Sequence, residues 1–158
     1  MSGSARSLRR GYGHLMPSDF ALRMMNLLHR AGIRLSFGKI GWRAMEMPVL
    51  ELTTIGRKTG RERTVLLTSP LQFGTTYVVV ASRGGDDQAP LWLGNLRVHP
   101  AVSVSVQGAP RITMTAKIAT PAERADYWPQ IVAAHPFYGG YQKSTTREIA
   151  LVLLEPES

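Results

Sequence analysis

From residue 49 onward apolar and polar positions alternate in short runs punctuated by glycine and proline, which is the signature of strands. Residues 49–54 and 64–68 are apolar and β-branched and flank a charged turn, so they predict a hairpin. Residues 76–81 are continuously apolar and predict a central strand that stops at a glycine-bearing loop, residues 82–87, while residues 70–75 read as a turn. Val102, Val104 and Val106 alternate with Ser103 and Ser105, and after a turn at 108–110, Ile112, Met114, Ala116 and Ile118 alternate with Arg111, Thr113, Thr115 and Lys117. This is the clearest hairpin of the chain, and residues 148–154 supply a last apolar strand. Pro90 opens a short helix toward Arg97. Thr120-Pro121-Ala122-Glu123 is a capping box, predicting a helix from Pro121 toward Ala134 with a bend at Pro129. Near the N-terminus, Phe20, Met24, Leu27, Leu28, Ala31 and Leu35 form one helical stripe after a start at Pro17-Ser18-Asp19, with Arg23, Arg30 and Arg34 along its border. The expected fold is mainly β (α+β): a small barrel of about six antiparallel strands with helices packed outside, plus an N-terminal amphipathic helix. Residues 1–43 form the basic arm and helix, and residues 44–158 the barrel domain.

Composition narrows the function. A chain of 158 residues that is 44% hydrophobic can bury a single sizeable core. Without cysteine, disulfides, thiolate catalysis and cysteine metal sites are excluded. No run of eighteen uncharged apolar residues and no early apolar signal segment occurs, so the expected location is cytoplasmic. The net charge of +8 is uneven: residues 1–43 carry Arg6, Arg9, Arg10, Arg23, Arg30, Arg34, Lys39 and Arg43 against Asp19 alone. A basic, amphipathic arm fits an anionic membrane surface on the inner face of the cell membrane, a hydrophobic substrate, or packing on its own domain. No nucleic-acid motif accompanies the charge, so nucleic acid is not an expected partner.

In the remaining body the dense positive cluster is the turn Ile55-Gly56-Arg57-Lys58-Thr59-Gly60-Arg61-Glu62-Arg63. Its glycines admit positive φ and close approach, and its cations suit phosphate or carboxylate oxygens. It lacks the Gly-Lys-Ser/Thr ending of a nucleotide P-loop and joins strand to strand. His14, His29, His99 and His135 are scattered without ligand spacing, so no metal site is expected. No Gly-x-Ser-x-Gly elbow occurs, and Asp86-Asp87 reads as a solvated turn. What is left is Ser82-Arg83-Gly84-Gly85, the indole of Trp92, and Tyr138 with Tyr141, a set that suits an aromatic, anionic cofactor. The two tyrosines are three apart, so one helical turn aims both rings alike, and a hydroxyl there would donate to an oxygen gaining negative charge.

The segments 52–60 (LTTIGRKTG) with Arg63, 80–85 (VASRGG), 90–96 (PLWLGNL) with His99-Pro100, 123–130 (ERADYWPQ), 138–141 and the Leu-Glu-Pro at 154–156 together resemble the deazaflavin (F420)-dependent nitroreductase family of mycobacteria and other actinobacteria. Order and spacing agree over roughly residues 45 to 156. The resemblance implies a split β-barrel holding coenzyme F420 in a groove, with Arg57, Lys58 and Arg63 reaching its phosphodiester and polyglutamate tail. It places Ser82, Arg83, Gly84 and Gly85 by the deazaflavin ring and has Leu91, Trp92 and Asn95 line the pocket. Ser82, Tyr138 and Tyr141 then face the electron acceptor as candidate catalytic residues. The implied activity is hydride transfer from reduced F420 to a hydrophobic acceptor, a quinone such as menaquinone or a nitroaromatic. His135 stands where a nitroimidazole-activating member has tyrosine, which together with the amphipathic basic N-terminus favours the quinone, while Arg83 stands where that member has lysine and keeps the anion contact with altered geometry. The alternatives are an FMN-dependent split-barrel reductase using the same turn, and a non-catalytic F420-binding or membrane-surface module.

Overall fold

The computed structural model describes residues 43–44 and 46–157. The expected amphipathic helix and most of the basic arm lie outside the described residues. Eight strands, three α-helices and one turn of 3-10 helix make up the described chain. They run β1 (Arg43–Ala44), β2 (Met47–Ile55), β3 (Glu62–Thr68), β4 (Leu71–Phe73), β5 (Thr76–Val80), the 3-10 turn (Arg83–Gly85), α1 (Leu91–Val98), β6 (Ala101–Val106), β7 (Ile112–Ile118), α2 (Pro121–Ala134), α3 (Phe137–Lys143) and β8 (Leu151–Pro156).

The strands form one antiparallel sheet in the order β1-β2-β6-β7-β8-β5-β4, with β3 also paired to β2. The sheet makes a half-barrel with the helices packed around it, the split-barrel architecture expected from the sequence. Period-two alternation sorts the side chains onto its two faces. Leu50, Leu52, Val79, Ala81, Val102, Val104, Met114, Ala116, Val152 and Leu154 point inward with Trp92, Leu93 and Leu96 of α1. Met47, Val78, Val80, Leu151 and Leu153 point the other way, under Ile131 of α2 and Tyr138 of α3. Strands β5 and β8 are therefore buried on both faces, which is why each reads as an unbroken apolar run.

Two strands escape the sequence reading. Leu71–Phe73 pairs with Thr76–Val78 around Gly74, whose φ is +59°, so most of the expected turn at 70–75 is strand. Arg43–Ala44 pairs with the first residues of β2. Both are edge pieces too short for alternation to register. The predicted helix at Pro121 is found with its complete capping box, and Pro129 lies inside it. Pro90 sits one position earlier than expected, as the N-cap of α1.

Candidate functional site

The basic turn connects β2 to β3 through residues 56–61 and is closed by backbone bonds from Gly56 N to Arg61 O at 2.7 Å and from Gly60 N to Gly56 O at 2.8 Å. Its glycines serve different ends. Gly60 has φ +69°, whereas a side chain at Gly56 would sit 2.7 Å from the Thr59 hydroxyl oxygen, so there the constraint is crowding. Arg57, Lys58, Arg61 and Arg63 are all exposed, and none forms an ion pair among the described residues. Glu62, the acid of the turn, lies 3.8 Å from Arg111 instead.

Asn95 joins this turn to α1. Its Oδ1 accepts from Arg57 N at 3.1 Å and its Nδ2 donates to Thr54 Oγ1 at 3.2 Å, with the residue 6% exposed. An amide is suited to this place because it accepts and donates at once. The pairing Thr54↔Arg63 puts the Arg63 side chain on the inner face of the sheet, the face that carries Leu52 and Thr54. The Arg57 guanidinium turns back over Gly94 of α1, in a cleft of about 410 Å³ lined also by Pro90, Leu91, Leu93 and Arg97. Leu91 is exposed, while Trp92, with 7% exposure, belongs to the inner core. The Trp92 indole N–H has no acceptor among the described residues.

At the other end of the same segment, Ser82 and the 3-10 turn are held by an arginine that the sequence reading did not single out. Arg147 donates from Nε to Asp86 O at 2.8 Å, from Nη1 to Ala81 O at 3.2 Å, and from Nη2 to Ser82 O at 2.9 Å. Burial lowers its pKa, opposed by the nearby Asp86 and Asp87 carboxylates. Gln142 accepts from Ile149 N and Arg124 Nη2 and donates to Arg147 O, tying α3 to the approach to β8. An isolated arginine in a polar loop carries no local signal of such a clamp, because its partners are backbone carbonyls more than sixty residues away in sequence.

Within the loop Arg83, Gly84 and Gly85 have φ of +46°, +66° and +85°. A side chain on Gly85 would lie 2.9 Å from Tyr141 O, so Gly85 permits the loop to press against α3. Arg83 also donates to Gln88 Oε1 at 3.2 Å. The structure thus brings Ser82, Arg83, Gly84 and Gly85 together with Tyr141. Ser82 and Tyr141 are half-buried, and neither hydroxyl has a hydrogen-bond partner among the described residues. Tyr138 is placed differently. It stacks edge-on against Tyr141 at 6.0 Å, as the three-residue spacing predicts, but is 5% exposed in the outer core. Its hydroxyl is paired with Thr68 Oγ1 at 3.2 Å and faces Met47 Sδ at 3.7 Å. Burial raises its pKa, with the Thr68 bond acting the other way. The difference arises because α3 must turn one face to the sheet, and Tyr138 lies on that face. No group of acidic or histidine side chains among the described residues is arranged to hold a metal.

Comparison with known proteins supplies a family. The model of the F420H(2)-dependent quinone reductase family matches residues 27–156. An F420H(2)-dependent quinone reductase of Mycobacterium tuberculosis strain H37Rv is 40% identical over 132 residues, covering 80% of this chain and 87% of that protein. Among solved structures, an F420-H2 dependent reductase superposes with a TM-score of 0.60 at 37% identity, covering 68% of this chain and 94% of the other. A second, described as a domain-swapped dimer, does so with 0.60 at 32% identity, covering 84% and 99%. With an antiparallel half-barrel, a basic hairpin turn and a matched family model over most of its length, the chain belongs to the F420H(2)-dependent quinone reductase family.

Proposed function

We propose that this protein reduces a quinone-class acceptor at the expense of reduced F420, with the coenzyme's acidic tail on the β2–β3 turn and its ring beside the Ser82–Gly85 loop. The observation that carries the reading is the set of cations at 57, 58, 61 and 63 with no ion pair among the described residues. Like charges held together without a counter-ion cost stability, and an acidic ligand relieves that cost. The residues fit the coenzyme in two further ways. Gly84, with open space where a side chain would stand, leaves the loop backbone accessible beside Gly85, and the buried Trp92 indole keeps a donor with no acceptor among the described residues.

When bound, reduced F420 supplies the hydride. Arg57, Lys58 and Arg63 bind its anionic groups, and Leu91, Trp92 and Asn95 shape the neighbouring wall. Arg147 immobilises the Ser82–Gly85 backbone so that the reacting partners are held in one geometry. Ser82 Oγ and the Tyr141 hydroxyl are available to donate to an acceptor oxygen as it gains charge. Tyr138 supports Tyr141 from the core, since its own hydroxyl is paired with Thr68.

A quinone arrives from the bilayer, and the charge of residues 1–43 supports a cytoplasmic protein resting on an anionic membrane face. No described helix is long and apolar enough to cross a membrane. Nitroaromatics remain within the acceptor class, as aromatic electron acceptors of similar size.

The test is a titration with F420 and with FMN, followed by turnover of reduced F420 against menaquinone and a nitroimidazole. We expect F420 to bind, menaquinone to be the better acceptor, and the Arg57→Ala/Lys58→Ala double variant to bind F420 at least about tenfold more weakly, given roughly 1.5–3 kcal/mol per charged hydrogen bond. Tight FMN binding without F420 binding would overturn the reading.

A further inference from the structure

We propose that Arg97 and Arg57 form a two-guanidinium seat for the serial carboxylates of the coenzyme's oligoglutamate tail, and that Gly94 is the residue that positions Arg57 in it. The inference rests on the F420 reading and adds to it a second tail-binding residue, Arg97, and a positioning role for Gly94.

Three observations converge on α1. First, a Cβ built on Gly94 would collide with Arg57 Nη1 and would lie 3.0 Å from Cζ and 3.6 Å from Nε. The guanidinium therefore rests across the bare backbone of the helix, in space that any side chain at 94 would occupy. Second, Arg57 is rooted on the same helix, because its backbone N–H is bound to Asn95. The side chain therefore starts from a backbone atom held against α1. Third, Arg97 is three residues beyond Gly94 and lines the same cleft, so the two guanidiniums share one face of α1. A spacing of three residues corresponds to roughly 4.5 Å of helical rise, suited to anions presented one after another along a chain.

The cleft contains no acidic side chain, and neither arginine forms an ion pair among the described residues. Its other walls are apolar, with Leu91 63% and Val98 56% exposed. Two cations on an apolar floor describe a receptor for a flexible acidic chain whose methylenes lie on leucine and valine while its carboxylates meet guanidinium forks. A dinegative phosphate alone would need a single convergent point.

The full-length protein and its Arg97→Gln and Gly94→Ala variants are titrated with oligoglutamyl F420, with the glutamate-free phosphate form, and with the tail-less deazaflavin riboside, and the melting temperature of each variant is recorded. We expect both variants to bind oligoglutamyl F420 about tenfold more weakly, with little change for the riboside. Gly94→Ala should melt at the same temperature or higher, because alanine favours a helix and the atoms displaced are the flexible end of Arg57. Loss of affinity alongside undiminished stability separates positioning from a structural defect. Wild-type affinity for oligoglutamyl F420 in both variants would overturn the seat. Equal weakening for the glutamate-free form would overturn the carboxylate assignment. Free γ-linked oligoglutamate reads the seat without the ring: if it raises the melting temperature of the wild type and not of Arg97→Gln while F420 itself fails to bind, the seat stands and the reductase reading falls.

Discussion

Tyr138 shows how one residue can satisfy a spacing argument and still take a different part. Its distance from Tyr141 in sequence does bring the rings together, yet the hydroxyl turns into the outer core against Thr68 and Met47. Burial favours the neutral phenol, so its folded pKa lies above the unfolded value near 10. The contribution to stability is therefore fully present below about pH 10 and is lost as pH rises through the folded pKa. Tyr138→Phe should cost about 1 kcal/mol near neutral pH through the lost Thr68 bond and should flatten the alkaline decline. Urea unfolding of wild type and variant at pH 8 and pH 11 measures both, and an equally steep decline in the variant would contradict the assignment. Asn95 and Trp92 were visible in sequence as parts of a resembling motif, but their tasks were not. The amide bridges Arg57 and Thr54 across residues far apart in the chain, and the indole is core as much as wall.

At the level of elements, the legible ones carried their own punctuation. The capping box opens α2 at Pro121, and valine–serine alternation marks β6. The 3-10 turn after β5 is the opposite case, since its shape depends on a distant guanidinium. Arg147→Gln should leave the carbonyls of Ala81, Ser82 and Asp86 short of donors, destabilising the protein by about 1–3 kcal/mol. The functional consequence should be a lower turnover number with modest change in coenzyme affinity, because the basic turn is not touched. Faster amide hydrogen exchange across residues 82–86 would report the released loop. Unchanged exchange and turnover would show that the clamp does not organise the site.

The whole molecule depends on a sheet that serves two cores at once, and its folding back is secured at Ser69. This fully buried residue donates from Oγ to Val78 O at 2.7 Å, while its N–H donates to Pro48 O at 3.0 Å. It ties the corner after β3 both to β2 and to β5, strands far apart in the sheet order. Ser69→Ala removes the donor to Val78 from a dry environment and should lower stability by about 1–3 kcal/mol, read as a reduced denaturation midpoint. No change would mean that the corner is held by backbone bonds alone. The order of apolar and polar residues was enough to determine most strands, two of the three described helices and a concentrated basic turn, because alternation, caps and charge density act over a few neighbours. Tertiary structure alone decided that Tyr138 is core while Tyr141 packs on the Gly85 loop, that Arg147 grips the Ser82 loop, and that Arg57 lies on Gly94 beside Arg97. Those outcomes are set by contacts between segments far apart in the chain, whose distances no local pattern encodes.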